Sequence, residues 1–170
     1  MNPNRLVAMD AADIELRARW LAPMTIMAGS LVTIIPVVAS IPLLPPFGLM
    51  MLLAWRVRRP DVFRSWAPVP LGLFDDLLSG QPLGSAMLLW TLAFLVLDAL
   101  DARMFWRDFW QDWVVASGVL AACLIAGRLI ATPLVAHVQT ALLIQIVVTI
   151  ALYPVMARIT AWLDPRPQPA

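Results

Sequence analysis

Residues 20–55 read WLAPMTIMAGSLVTIIPVVASIPLLPPFGLMMLLAW, and no charged side chain interrupts them. A helix needs roughly 20 apolar residues to cross about 30 Å of hydrocarbon, so the run is too long for one crossing and enough for one full and one short crossing. Pro42, Pro45 and Pro46 divide it, because proline lacks an amide hydrogen and clashes with the preceding helical turn. The sequence therefore predicts a first span over 20–42, kinked at Pro36, and a short second span over 45–57.

Outward from that stretch the same pattern recurs. Spans are predicted over 83–100, from the clean run 87–97, over 112–133, which ends near Pro133, and over 138–160. Residues 65–79 are apolar at both ends but carry Asp75 and Asp76, so they read either as a crossing or as a half-inserted helix. Orientation favours the crossing. With six spans, both tails and the loops at 56–64 and 101–112 share one side, which then holds every arginine except Arg128. The opposite loops, near 43–45, 79–83 and 133–138, hold none, and such asymmetry marks the cytoplasmic side. With five spans Arg103 and Arg107 would fall outside. The expectation is an all-α integral membrane protein of six transmembrane helices with both termini cytoplasmic. Trp20, Trp55, Trp66, Trp106, Trp110, Trp113 and Trp162 all fall at the predicted cytoplasmic boundary, where an indole keeps its ring in hydrocarbon and its N–H wet, while Trp90 is expected to pack inside.

Composition supports this class. Of 170 residues, 61% are hydrophobic and 14% charged, with net charge +1, whereas soluble domains carry about a quarter charged residues. The mean hydropathy is +0.81. The arginines form no basic stripe interleaved with aromatics, which argues against nucleic acid as a partner. Cys123 is alone in an apolar run, so neither an intrachain disulfide nor a thiolate metal centre is available. Residues 1–19 mix Arg5, Arg17 and Arg19 with Asp10, Asp13 and Glu15 and read as a retained cytoplasmic tail; a short helix along the membrane surface is the alternative. Residues 163–170 read as a Pro-rich cytoplasmic tail.

The residues able to carry chemistry are few. An aspartate inside a span costs roughly 2.5–3.5 kcal/mol unless paired, protonated or wetted, so Asp75 and Asp76 require compensation, and Arg128, the one arginine placed in a span away from its cytoplasmic end, is a candidate partner. Adjacent helical residues point about 100° apart, so the two aspartates alone cannot share a proton as a protease dyad does. Asp98 and Asp101 share a helical face and could hold Mg²⁺ against a phosphate, but Ala102 and Arg103 follow where a phosphatidyltransferase motif needs glycine and further acids. They read better as solvated acids balanced by Arg103 and Arg107. His137 stands without a second ligand at metal spacing. No Walker loop, Gly-x-Ser-x-Gly elbow or His-Glu-x-x-His is present, so no catalytic residue, cofactor or metal site is expected.

Gly72, Asp76, Gly80 and Gly84 place small residues every four positions, with Pro82 and Leu83 between the last two. A helix ending near residue 79, a tight turn over 80–82 and a new helix from about 83 would use these glycines for a turn and for a close helix crossing.

Trp55 followed by Pro60, then GLFDDLLSGQPLG over 72–84, resembles the rod shape-determining MreD family of bacterial inner-membrane proteins. That family shows a tryptophan and a proline after its short second span and a Gly-x-x-x-Asp-x-x-x-Gly-x-x-Leu-Gly core, onto which Gly72, Asp76, Gly80, Leu83 and Gly84 fall, with Asp75 an addition. Tyr153 and Pro154 are similar to an aromatic-proline pair in its last span. The likeness extends over most of the membrane part, and its specific portion is 55–84. The resemblance implies a multi-pass, non-enzymatic subunit of the cell-elongation machinery, supporting lateral peptidoglycan synthesis. Its implied partners are MreC directly, and MreB, RodA and a class B penicillin-binding transpeptidase in a larger complex. It also implies a fold resembling the six-helix substrate-binding subunits of ECF-type vitamin transporters, a kinship that does not fix function. Trp55, Pro60, Gly72, Asp76, Gly80, Pro82, Leu83, Gly84, Arg128 and Pro154 are the expected structural or partner-contacting residues. The alternative is a membrane subunit that binds a small solute or lipid in a pocket lined by the short second and broken third spans. Against it, the outward loops offer Gln81 and His137 but no charged group.

Overall fold

The computed structural model describes residues 3–32, 45–80, 82–102, 109–131 and 136–165. Among these every regular element is an α-helix: α1 (Pro3–Leu31), α2 (Phe47–Arg58), α3 (Pro68–Ser79), α4 (Ser85–Asp101), α5 (Phe109–Ala131) and α6 (Ala136–Leu163). The predicted kink at Pro36, the break at Pro42, the loop residues Gln81, Arg103, Arg107 and Pro133, the boundary residue Trp106 and the tail beyond Pro165 lie outside the described residues.

Helix α2 is the centre of the bundle. Its residues are apolar all round up to Trp55, nine consecutive positions from Gly48 to Arg56 are buried, and it packs against α1, α4, α5 and α6. A helix with no polar face has to be covered on every side. It starts after Pro46, whose carbonyl accepts the Met50 N–H at 3.0 Å, and stops at Arg58, just before Pro60. The residue before a proline is disfavoured in helical conformation, which sets that end.

Helices α3 and α4 form a hairpin and make the most extensive pairing in the molecule. Pro68 opens α3 in its first turn, where its missing N–H has no intrahelical partner to lose, and Gly80 closes it in the left-handed conformation, φ +66°. Helix α1 is continuous from Pro3, so the segment read as a tail is helical and runs directly into the apolar segment that ends at Leu31.

Among the described residues two helices are long and apolar enough to cross a membrane, over Trp110–Ile130 and Thr140–Leu163. Only 22% and 11% of their most apolar stretches are buried in the bundle, so their hydrocarbon faces point outward, unlike the core helix of a soluble protein. Helices α2 and α3 have 12 residues each, about 18 Å, short of the hydrocarbon thickness.

Candidate functional site

The Gly-Asp-Gly-Gly stretch assembles into one local device. Asp76 is 2% exposed, in a hairpin whose second helix begins at Ser85. Its carboxylate accepts four hydrogen bonds, from the N–H groups of Gly84 at 2.9 Å, Ala86 at 2.8 Å and Met87 at 3.2 Å and from the Ser85 hydroxyl at 3.0 Å. These are the orphan donors that open every α-helix, so Asp76 caps α4 from across the hairpin. The positive end of the α4 dipole and the direct bonds together offset the cost of burying the charge.

The glycines make that reach possible. A Cβ on Gly72 would lie 2.6 Å from the Met87 Cα and 2.8 Å from its amide nitrogen, so only glycine lets α3 cross the first turn of α4 at this separation. Gly84 precedes α4 at φ +93°, where an L side chain is strained. Pro82 and Leu83 are exposed in the turn, and the Pro82 carbonyl accepts the Ser85 N–H at 3.0 Å. The expected hairpin is therefore present, with α4 starting at Ser85.

Compensation of Asp76 comes from the α4 backbone and not from Arg128. Asp75 lies on the other side of α3, beside the Ser30 hydroxyl, and together with Arg128 and Gln145 it lines a cavity of about 300 Å³ at the start of α2. Arg128 forms no ion pair with Asp75 or any other described residue. A Cβ on Gly48 would press on Ser30, Trp90 and Asp75, so that glycine makes room for the group.

At the far end of α2 the charges are paired. Arg56, 5% exposed, bonds Asp98, reaches Asp101 at 3.0 Å and lies 5.3 Å above the Phe94 ring. Asp98 and Asp101, each about a third exposed, thus share a buried guanidinium, a partner that the sequence did not indicate, while Arg103 and Arg107 lie outside the described residues. Arg59 bonds Asp164 at 3.1 Å and Asp61 at 3.4 Å, and Arg58 bonds Asp164 at 3.1 Å, tying α2 to the end of α6. Among the described residues no three His, Cys, Asp or Glu side chains converge as a metal set.

Comparison with models of known protein families, with curated proteins and with solved structures finds no match.

Two boundary tryptophans also need correction. Trp55 is fully buried, its indole N–H donating to the Thr25 hydroxyl at 2.9 Å, and Trp113 is half-buried with its N–H 3.3 Å from the Ile150 carbonyl. Both find internal partners, so neither needs the interface. Trp20, Trp66, Trp110 and Trp162 are exposed, and Trp90 is buried as expected. Pro60 sits in the exposed turn after α2, and Pro154 lies half-buried inside α6 next to the buried Tyr153. Sequence reasoning missed Arg56, Arg59 and Asp164 as internal partners, because arginines flanking an apolar run fit an interface equally well.

Proposed function

We propose that this chain is a multi-pass subunit of the bacterial cell-elongation complex in the cytoplasmic membrane, non-enzymatic, and acting by holding MreC and, through it, the wall synthases. The observation that carries the reading is the state of Asp76. All of its acceptor capacity visible in the hairpin is directed at the first turn of α4, which accounts for an intramembrane aspartate by architecture alone, and each glycine of the motif that resembles the MreD core has a part in the same hairpin.

Six spans with cytoplasmic termini remain part of the proposal. Supporting it, the ends of α2, α4 and α6 meet through Arg56, Asp98, Arg59 and Asp164, and Glu15 and Arg19 of α1 line a small cavity with Arg59. The charge-rich parts of four helices thus share one end of the bundle, as a positive-inside arrangement requires. On the outside of the hairpin Leu73, Leu77, Leu88, Leu92 and Leu95 are exposed, an apolar surface suited to lipid or to the spans of a partner.

Depletion of the protein in its host, with cell shape and recovery of tagged MreC scored together, tests the reading. Rounded cells and dispersed MreC complexes are expected. Unchanged rods with full MreC recovery would overturn it.

A further inference from the structure

The cavity at the start of α2 adjoins the Asp76 hairpin cap through Ala86, does not include the Asp76 side chain, and lies away from the charged end of the bundle. Its apolar wall residues include Leu49, Trp90 and Cys123, and its polar groups come from separate helices: Asp75 from α3, Arg128 from α5 and Gln145 from α6. A few polar groups in a partly open cavity of about 300 Å³ with mixed polar and apolar walls are a common form of small-ligand site.

The two charges do not neutralise one another. Among the described residues the Nε of Arg128, shielded from solvent, has no acceptor, and the side chain makes no ion pair. Asp75 has the Ser30 hydroxyl beside it. The unmet requirement is therefore for an anion at Arg128. A guanidinium presents a planar fork of donors matched to phosphate and carboxylate oxygens. Asp75 lines the same cavity, where its carboxyl can hydrogen-bond a hydroxyl or amine on the same ligand.

We propose that this cavity binds a glycerophosphate group, its phosphate on Arg128 and a neighbouring hydroxyl or amine on Asp75. The group can arrive as the headgroup of a membrane phospholipid or as a free phosphate ester, and the inference stands whether or not the chain serves the elongation complex. A glycerophosphate combines in one compact unit the anion and the donor that the two walls call for.

The test uses the full-length chain in detergent with three probes: dioleoyl-phosphatidylglycerol, sn-glycerol 3-phosphate, and dioleoylglycerol as the lipid without phosphate. Bound probe is counted by native mass spectrometry, and occupancy is read independently as protection of Cys123, the single cysteine, from N-ethylmaleimide. Expected is retention of one phosphatidylglycerol per chain, falling at least tenfold in Arg128→Gln, partly kept in Arg128→Lys, with slower Cys123 labelling in the loaded wild type only. Binding of glycerol 3-phosphate with the same dependence on Arg128 would support the site and identify the free ester as a source. Because Arg128→Gln removes an unpaired charge, the variant should remain folded, which its helical circular dichroism checks. Equal retention of dioleoylglycerol, retention indifferent to Arg128, or binding of neither phosphate probe would overturn the proposal.

Discussion

Asp75 and Asp76 are chemically identical neighbours that point about 100° apart on one short helix and carry different consequences. Asp76 accepts from three backbone N–H groups and one hydroxyl, so replacing one carboxylate oxygen by an amide NH₂ sets donor against donor. Asp76→Asn should lower stability by roughly 2–3 kcal/mol, the scale of hydrogen bonds to a charged group. Denaturant unfolding in detergent, followed by helical circular dichroism, measures it. Asp75→Asn removes a charge that caps no helix, and a change below about 1 kcal/mol is expected. Equal losses in the two variants would mean that the cap is not what makes Asp76 matter.

The α3–α4 hairpin rests on backbone geometry at two glycines. Gly72→Ala places a methyl 2.6 Å from the Met87 Cα, which is main chain and has no rotamer to yield, so the helices must separate at a cost of about 1–3 kcal/mol. Gly84→Ala forces a side chain to φ +93° and should cost about 1–2 kcal/mol. Gly118→Ala is the control: a Cβ there meets nothing within 4 Å, and α5 should be unchanged or slightly more stable in the same unfolding measurement. The hairpin was legible in the sequence because glycine at four-residue spacing, a proline and an aspartate each have few structural uses. What the aspartate binds was not legible. Periodicity locates a residue on its own helix but says nothing of the distance from Asp76 to the first turn of α4, so Arg128 stood as a candidate partner. The helical class followed from the long apolar runs, whereas the shortness of α2 and α3 follows from prolines and glycines whose exact stopping points depend on packing. Trp55 illustrates the limit: its place at the end of an apolar run fits an interface, and only the neighbouring Thr25 on α1 shows that it is internal.

At the scale of the molecule, the two ends of the bundle differ in kind. One holds a cavity with a cation that has no ion-pair partner among the described residues; at the other, arginines at the end of α2 are clamped to acids at the ends of α4 and α6. The Arg59 and Asp164 side chains are 1% and 3% exposed, so salt screens their attraction little, and removing Asp164 leaves Arg59 buried with only the longer contact to Asp61 at 3.4 Å. Asp164→Asn should therefore destabilise by up to about 3 kcal/mol, the low end for breaking a buried pair, because Asp61 remains beside Arg59. The pair Arg59→Met with Asp164→Leu removes both charges and keeps similar volume, and buried pairs replaced in this way are often nearly neutral. The double variant should then be more stable than Asp164→Asn alone, and unfolding of the two variants and the parent at low and high salt measures the difference. If the double variant loses as much as the single, the clamp is not a matter of paired charge, and the junction of α2 with α6 depends instead on the shape of the two side chains.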